Sequence, residues 1–153
     1  MDLNNRYNTN EVFHITDRTL QVIPRTHGNK VIVLDNALGV TVTLPPATGS
    51  GLRYTFVIKT AATSNANIIQ VANSKDVMNG SLNIQQDTDS DGTLKCWMAE
   101  VLDDTMTFAG AATTGGIQGN RIECVDYYEG YWSCTAWTIS GGGAEVTPFS
   151  AAV

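Results

Sequence analysis

Residues 41–59 read TVTLPPATGSGLRYTFVIK, and this stretch decides the fold class. From Thr41 to Leu44 polar and apolar residues alternate, which is the period of a strand with one buried face. Pro45 and Pro46 have no backbone N–H and end that strand, and the glycines that follow favour a turn. The alternation resumes from Arg53 to Lys59. The stretch therefore predicts two strands joined by a short connection.

Other segments either alternate in the same way or form short apolar runs. These further candidate strands are Thr19 to Ile23, Lys30 to Asp35, Asn67 to Ala72, Ser81 to Ile84, Leu94 to Leu102, Thr105 to Ala109, Ile117 to Asp126, Tyr131 to Ile139 and Glu145 to Phe149. Many short strands with closely spaced turns predict an all-β, single-domain antiparallel β-sandwich or barrel, jelly-roll-like, with essentially no helix. We expect residues 1–10 to form a flexible N-terminal arm and residues 11–153 to form the single all-β domain.

Two hairpins can be predicted in more detail. Asn79-Gly80 is the pair preferred in a tight type I′ hairpin turn. Arg121–Tyr127 and Tyr131–Cys134 flank a second connection, which we interpret as a three-residue loop that ends with Gly130 in a left-handed conformation. With that loop length, Cys124 lies directly opposite Cys134.

The chain has three cysteines, Cys96, Cys124 and Cys134, so at least one of them cannot join an intrachain bridge. The first ten residues, MDLNNRYNTN, lack the apolar run of a secretory signal, which predicts thiols made in a reducing cytoplasm. A cross-strand Cys124–Cys134 disulfide is geometrically possible, but we favour two buried thiols.

The net charge of the chain indicates which classes of partner it can bind. The net charge is −6 and the sequence pI is about 4.6, while the arginines are scattered along the chain. An acidic surface repels phosphate backbones and anionic lipids, so we expect no nucleic-acid partner and no membrane partner. No stretch approaches the roughly 20 apolar residues that cross a bilayer.

One acidic run suggests a metal-binding site. Asp87, Asp89, Asp91 and Gly92 match the opening of an EF-hand calcium loop, but the twelfth position is Met98 instead of a bidentate glutamate. A solvated turn has the same composition. We favour the turn over a weak calcium site and predict no metal site and no cofactor.

No catalytic group can be assigned. His14 and His27 are the only histidines, and neither lies at metal-ligand spacing from another candidate ligand. The chain has no G-x-S-x-G elbow and no P-loop lysine. We therefore predict that the protein is not an enzyme, with no catalytic and no cofactor-binding residues.

Aromatic residues are candidates for binding. The three tryptophans, Trp97, Trp132 and Trp137, could form a carbohydrate-binding platform. Trp97 and Trp132 have apolar sequence neighbours, however, and we therefore favour a place in the core for these two. Tyr127, Tyr128 and Tyr131 cluster around one loop, where we expect them to be exposed as a contact site.

Two long stretches carry a resemblance to a known group. The first resembles the V-T-V-T-L-P-x-A-T-G-S-G segment of small bacteriophage virion proteins, and the second resembles the C-terminal half of those proteins. The first comprises Val31–Asp35, Gly39–Leu52 and Tyr54–Phe56; the second comprises Asp104–Phe108, Thr113–Gly116, Gly119–Glu123, Val125–Asp126, Gly130–Trp132 and Glu145–Ala151. Together they cover most of the chain beyond residue 30.

The resemblance implies a structural role in the virion, as a capsid decoration (cement) protein that binds the assembled major capsid protein. It also implies a homotrimer located on the capsid surface. We expect the arm of residues 1–10 to become ordered on the shell. The alternative is a head or tail fibre adhesion module that binds a host surface glycan, and a small glycan hydrolase is a third, less favoured hypothesis.

Overall fold

The computed structural model describes residues 11–86, 94–110, 113–141 and 145–153. The described elements are β1 (Val12–Ile15), β2 (Thr19–Gln21), α1 (Pro24–His27), β3 (Lys30–Asp35), β4 (Thr41–Thr43), β5 (Arg53–Thr60), β6 (Asn67–Gln70), β7 (Val77–Gln86), β8 (Leu94–Met98), β9 (Thr105–Phe108), β10 (Arg121–Tyr128), β11 (Tyr131–Ser140) and β12 (Phe149–Ser150). The structure is 53% strand and 3% helix, which confirms the predicted all-β class. The predicted arm and the Asp87–Gly92 run lie outside the described residues.

The strands form two sheets that pack together as a β-sandwich, as predicted. One sheet has seven strands in the order β1-β3-β5-β10-β11-β7-β8, and the other has five in the order β12-β9-β6-β4-β2. Ile32 and Phe56 of the larger sheet and Val42 and Phe108 of the smaller one belong to one buried cluster. Burial of this shared apolar surface is the main term that holds the two sheets together.

The first six strands wind alternately through the two sheets, and their pairings are parallel. Val12 of β1 lies opposite Val31 of β3, which in turn lies opposite Thr55 of β5. In the smaller sheet, β2, β4 and β6 pair in parallel in the same way. The sheets are therefore mixed, and the predicted antiparallel, jelly-roll-like pairing is wrong for these strands. Alternation of period two is common to parallel and antiparallel strands, so it could not distinguish them.

The predicted hairpin between β10 and β11 is present with the expected register. Cys124 lies opposite Cys134, and Gly130 has a φ of +80°. Tyr128 already pairs with Tyr131, so the connection is one residue shorter than predicted. An irregularity between Asp126 and Tyr128 restores the register that the longer loop would have produced.

Asn79-Gly80 does not form the predicted hairpin turn. Both residues lie inside β7, which pairs in parallel with β11. Gly80 has a φ of +127°, and a Cβ at this position would collide with the carbonyl oxygen of Cys134. Glycine at this position allows the β7 and β11 backbones to approach closely, and it does not serve as a turn residue.

Some element boundaries differ from the prediction. The short helix α1 was not predicted; it begins at Pro24, a residue that suits the first helical position. The predicted strand from Leu94 to Leu102 ends at Met98. The described residues include no helix that is long and apolar enough to cross a membrane.

Candidate functional site

Two turns flank the start of β7 at one end of the seven-stranded sheet, because consecutive residues of β7 donate hydrogen bonds to both of them. The N–H of Met78 donates to the carbonyl oxygen of Asp103 at 2.7 Å, and the N–H of Val77 donates to that of Gly130 at 3.0 Å. Consecutive N–H groups of a strand point to opposite sides of it, so one turn lies on the β8 side of β7 and the other on the β11 side. One follows β8 and the other joins β10 to β11.

The turn after β8 presents two large apolar side chains to solvent. Val101 is 84% exposed and Leu102 is 71% exposed. Asp103 closes the turn, since its Oδ2 accepts the N–H of Glu100 at 2.7 Å and its own N–H donates to the Glu100 carbonyl at 3.2 Å. Glu100 and Asp103, with Ala151 nearby, also line a surface depression of about 660 Å³. The apolar side chains are therefore displayed by an ordered turn.

The turn between β10 and β11 presents the tyrosines, whose predicted exposure is confirmed. Tyr128 is 64% exposed and Tyr131 is 42% exposed, with their ring centroids 6.1 Å apart. Tyr127 is 49% exposed, and its hydroxyl oxygen accepts a 2.9 Å hydrogen bond from Nδ2 of Asn79. We call the four side chains of Val101, Leu102, Tyr128 and Tyr131 the rim.

A second surface lies towards the other end of β10 and β11. A cleft of about 260 Å³, here called the Trp137 cleft, is lined by Arg121, Glu123, Thr135 and Trp137. Arg121 lies directly opposite Trp137, and Glu123 lies opposite Thr135. Trp137 is 67% exposed, whereas Trp132 is fully buried as predicted. The third tryptophan, Trp97, is neither fully exposed nor fully buried.

Two arginines share one carboxylate beside this cleft. Nε of Arg53 lies 3.5 Å from Oε1 of Glu123, and Nη2 of Arg121 lies 3.4 Å from Oε2 of the same residue. These distances exceed those of strong charge-assisted hydrogen bonds, which are about 2.7–2.9 Å. Both guanidinium groups therefore keep most of their hydrogen-bonding capacity for another partner.

The buried carboxylate of Asp126 holds the loop that follows β4. It accepts hydrogen bonds from the backbone N–H groups of Thr48, Gly49 and Ser50 and from the hydroxyls of Thr48 and Ser50. Burial acts to raise the pKa of Asp126, but the hydrogen bonds from the Ser50 hydroxyl and the three amides outweigh it and leave the pKa below its ordinary value. A second carboxylate, Asp76, accepts the N–H of Ala47 at 2.8 Å. The loop is thus anchored from two sides.

The two cysteines of the hairpin are free thiols in the core, in agreement with the favoured interpretation. Both are fully buried, and the Cys134 thiol donates to Sγ of Cys124 at 3.6 Å. That contact and burial raise the pKa of Cys124 well above its ordinary value. A raised pKa disfavours the thiolate, which is the reactive form. Cys96, in contrast, is exposed on β8.

The two histidines are not brought together as a metal or catalytic pair. His27 is buried in α1, and its Nδ1 accepts the N–H of Ile23 at 2.9 Å. Burial lowers the pKa of His27. His14 is exposed on β1. Within the part of the chain that the structure describes, no group of three or more His, Cys, Asp or Glu residues could hold a metal ion.

Sequence reasoning missed two arrangements. The Trp137 cleft could have been found, because the predicted Cys124–Cys134 register already places Arg121 opposite Trp137. The contact between Asp126 and the Thr48–Ser50 loop had no sequence signal, since it joins residues that are far apart in the chain.

Comparison of the chain with protein-family models, curated proteins and solved structures found no match. A function therefore has to be inferred from the residues and surfaces of the chain itself.

Proposed function

We propose that the chain is a non-enzymatic structural protein of a bacteriophage virion. It acts as a capsid decoration (cement) protein, made in the host bacterial cytoplasm and bound to the capsid surface. Its partner is the shell formed by the major capsid protein. A protein that binds only the assembled shell stabilises the shell by mass action.

The folded arrangement of the two stretches that resemble phage virion proteins supports this proposal. Gly39–Leu52 belongs to the first stretch and Asp126 to the second. The Asp126 carboxylate accepts hydrogen bonds from the Thr48–Ser50 segment of the first. The two stretches therefore belong to one structural unit, as expected if both were inherited together from one ancestral protein.

The observation that carries the proposal is the exposure of the rim. Val101 and Leu102 are consecutive exposed apolar side chains, and contiguous exposed apolar surface is typical of interaction sites. Tyrosines such as Tyr128 and Tyr131 are enriched at protein interfaces, because each supplies a large apolar area and a polar hydroxyl. Both kinds of side chain stand on turns closed by backbone hydrogen bonds, which limits the entropy lost on binding.

We include two further features in the proposal. The protein forms a homotrimer, because a threefold junction of the shell favours a threefold partner. Residues 1–10 become ordered on the shell, which would add contact area at the edge strand β1 that follows them. Light scattering of the purified protein tests the first feature, and deletion of residues 1–10 with retained capsid binding would refute the second.

The first experiment is to count the copies of this protein in purified virions relative to the major capsid protein. A ratio near one, or one trimer per threefold site, supports decoration. Absence from the particle would overturn the structural role and reopen the enzyme hypothesis.

The second experiment tests the rim. Leu102→Asp should raise the Kd for shells that lack the protein by at least about tenfold, equivalent to about 1.4 kcal/mol of binding free energy. Leu38→Asp is the matched control, since Leu38 is also exposed, at 47%, but lies outside the rim. An equal Kd for both variants would show that the rim is not part of the interface.

The second candidate function is a head or tail fibre adhesion module that binds a host surface glycan. The exposed indole of Trp137 is the specific observation that favours it. A few copies per particle in the counting experiment would select this candidate over decoration.

A further inference from the structure

We infer that the Trp137 cleft is a binding site for an anionic saccharide, namely a sugar ring that carries a carboxylate group. The inference does not depend on the proposed capsid role. It rests on the size of the cleft, the exposed indole and the charges around it.

Size and shape indicate a single ring. The cleft encloses about 260 Å³, slightly below the roughly 300–1,000 Å³ of pockets that bind drug-sized ligands. One wall is the indole of Trp137, which is 67% exposed. The C–H groups on one face of a pyranose can pack against such an indole, which gains apolar contact without desolvating the sugar hydroxyls.

The charge beside the cleft indicates that this ring is anionic. Arg53 and Arg121 both face the single carboxylate of Glu123, which leaves a local excess of positive charge on a chain of net charge −6. The arginine side chains are 59% and 62% exposed, so a ligand can reach them. A guanidinium has five N–H donors in a fork that matches a carboxylate.

The remaining lining groups suit the hydroxyls of a sugar. The Thr135 hydroxyl can donate and accept, and the Glu123 carboxylate can accept hydrogen bonds from ring hydroxyls. Both side chains line the same cleft as Trp137. An aromatic platform, an acceptor, a hydroxyl and the guanidinium of Arg121 therefore line one ring-sized space, and the guanidinium of Arg53 lies beside it against Glu123.

An acidic peptide is a poorer fit for this place in the fold. Peptides that bind sheets commonly add a strand to a free backbone edge. β11 pairs with β10 on one side and with β7 on the other, so its edges are occupied along the cleft. A peptide could use only side-chain contacts here.

The cleft and the rim can be occupied at the same time. Tyr131 of the rim and Trp137 both lie on β11, six residues apart in sequence. At about 3.3 Å per residue, this places them roughly 20 Å apart along the strand. A protein anchored by its rim could therefore still present the cleft to a saccharide, and the two sites can be tested separately.

The test is a titration of the ¹⁵N-labelled full chain with tetragalacturonate, followed by NMR at the indole Nε1–H of Trp137. Comparison with the spectrum of Trp137→Phe assigns that signal. The methyl-esterified tetramer, which has the same rings without the charge, is the matched ligand. We expect a saturable shift with the acid and at least about tenfold weaker binding of the ester.

Variants then separate the contributions of the side chains. Trp137→Ala should abolish binding, and Arg121→Gln or Arg53→Gln should weaken it and reduce its dependence on salt. Arg25→Gln is the control, because Arg25 is exposed on α1 and does not line the cleft. Leu102→Asp should bind the saccharide normally, which distinguishes failure of this inference from failure of the capsid proposal.

Three results would overturn the inference. They are equal binding of the acid and its ester, no shift of the Trp137 indole up to the solubility limit of the acid, and binding of a tetraglutamate peptide as tight as that of the saccharide. The last result would assign the cleft to acidic peptides instead.

Discussion

The hydroxyl of Ser50 donates a 2.6 Å hydrogen bond to Oδ2 of Asp126, across 76 positions of sequence. The same carboxylate accepts the amides of Thr48 and Gly49. It therefore fixes the loop after β4 against β10, in the larger sheet.

Asp126→Asn should destabilise the protein by about 2–3 kcal/mol, because the loop loses an ionised acceptor and its donors then face an amide NH₂. Urea denaturation of both proteins measures the change in the free energy of unfolding. Glu129→Gln, an exposed change in the adjacent turn, is the matched control and should leave it nearly unchanged. Equal midpoints for Asp126→Asn and wild type would show that the loop is held by other contacts.

Acid should weaken the same contact. The folded state holds the pKa of Asp126 below its ordinary value, so its contribution to stability is present above that ordinary value and is lost as the pH falls through the folded pKa. Urea midpoints measured from pH 5 downwards should therefore fall more steeply for the wild type than for Asp126→Asn. Parallel curves would contradict this.

His27 should make the protein less stable in mild acid. Burial lowers its pKa in the folded state below the ordinary value of 6.5. The unfolded chain therefore binds the proton first, and stability falls as the pH drops below 6.5 towards the folded pKa. His27→Gln keeps an acceptor for the Ile23 N–H and should lose less stability between pH 7.5 and 5.5. The same loss in His27→Gln and in the wild type would refute the assignment.

Gly80→Ala should destabilise more than Gly51→Ala. Both glycines have positive φ, at +127° and +73°, so each alanine strains the backbone by about 1–2 kcal/mol. At Gly80 the new Cβ also meets the Cys134 carbonyl, whereas at Gly51 there is nothing within 4 Å. Thermal unfolding compares the two variants. A Gly80→Ala variant as stable as Gly51→Ala would show that β7 and β11 can separate slightly without loss.

Thiol titration should distinguish the three cysteines. In the native protein only Cys96 should react rapidly with a thiol reagent, because Cys124 and Cys134 are fully buried. In denaturant without reductant all three should react. The Cys96→Ala variant should show no fast thiol and two slow ones. A count of one thiol in the denatured wild type would instead demonstrate a Cys124–Cys134 disulfide.

The all-β class and one hairpin register could be predicted from sequence because both depend on local features. Period-two alternation with proline and glycine breaks predicts strands, and a run such as Lys30–Asp35 was predicted with its observed bounds. The hairpin that pairs Cys124 with Cys134 depends only on a short connection and a glycine, Gly130, that tolerates positive φ. Exposure of the tyrosines around that connection followed from the same local reasoning.

Asn79-Gly80 shows how tertiary structure overrides a local preference. The pair favours a turn by a small free-energy difference, but Met78 and Leu82 on either side are fully buried. Burying two such side chains gains roughly 1.5–3 kcal/mol each, which outweighs the turn preference and keeps β7 continuous.

The sequence by itself determined that the chain forms strands, where many of them break, and which side chains alternate between core and solvent. Only the tertiary structure decided that the first six strands wind in parallel, that Asp126 holds the Thr48–Ser50 loop, and that Arg53 joins Arg121 beside Trp137. Strand formation and alternation depend on neighbours within a few residues. The pairing partner of a strand depends on which distant apolar faces are buried together, and a single sequence has no periodicity that encodes this.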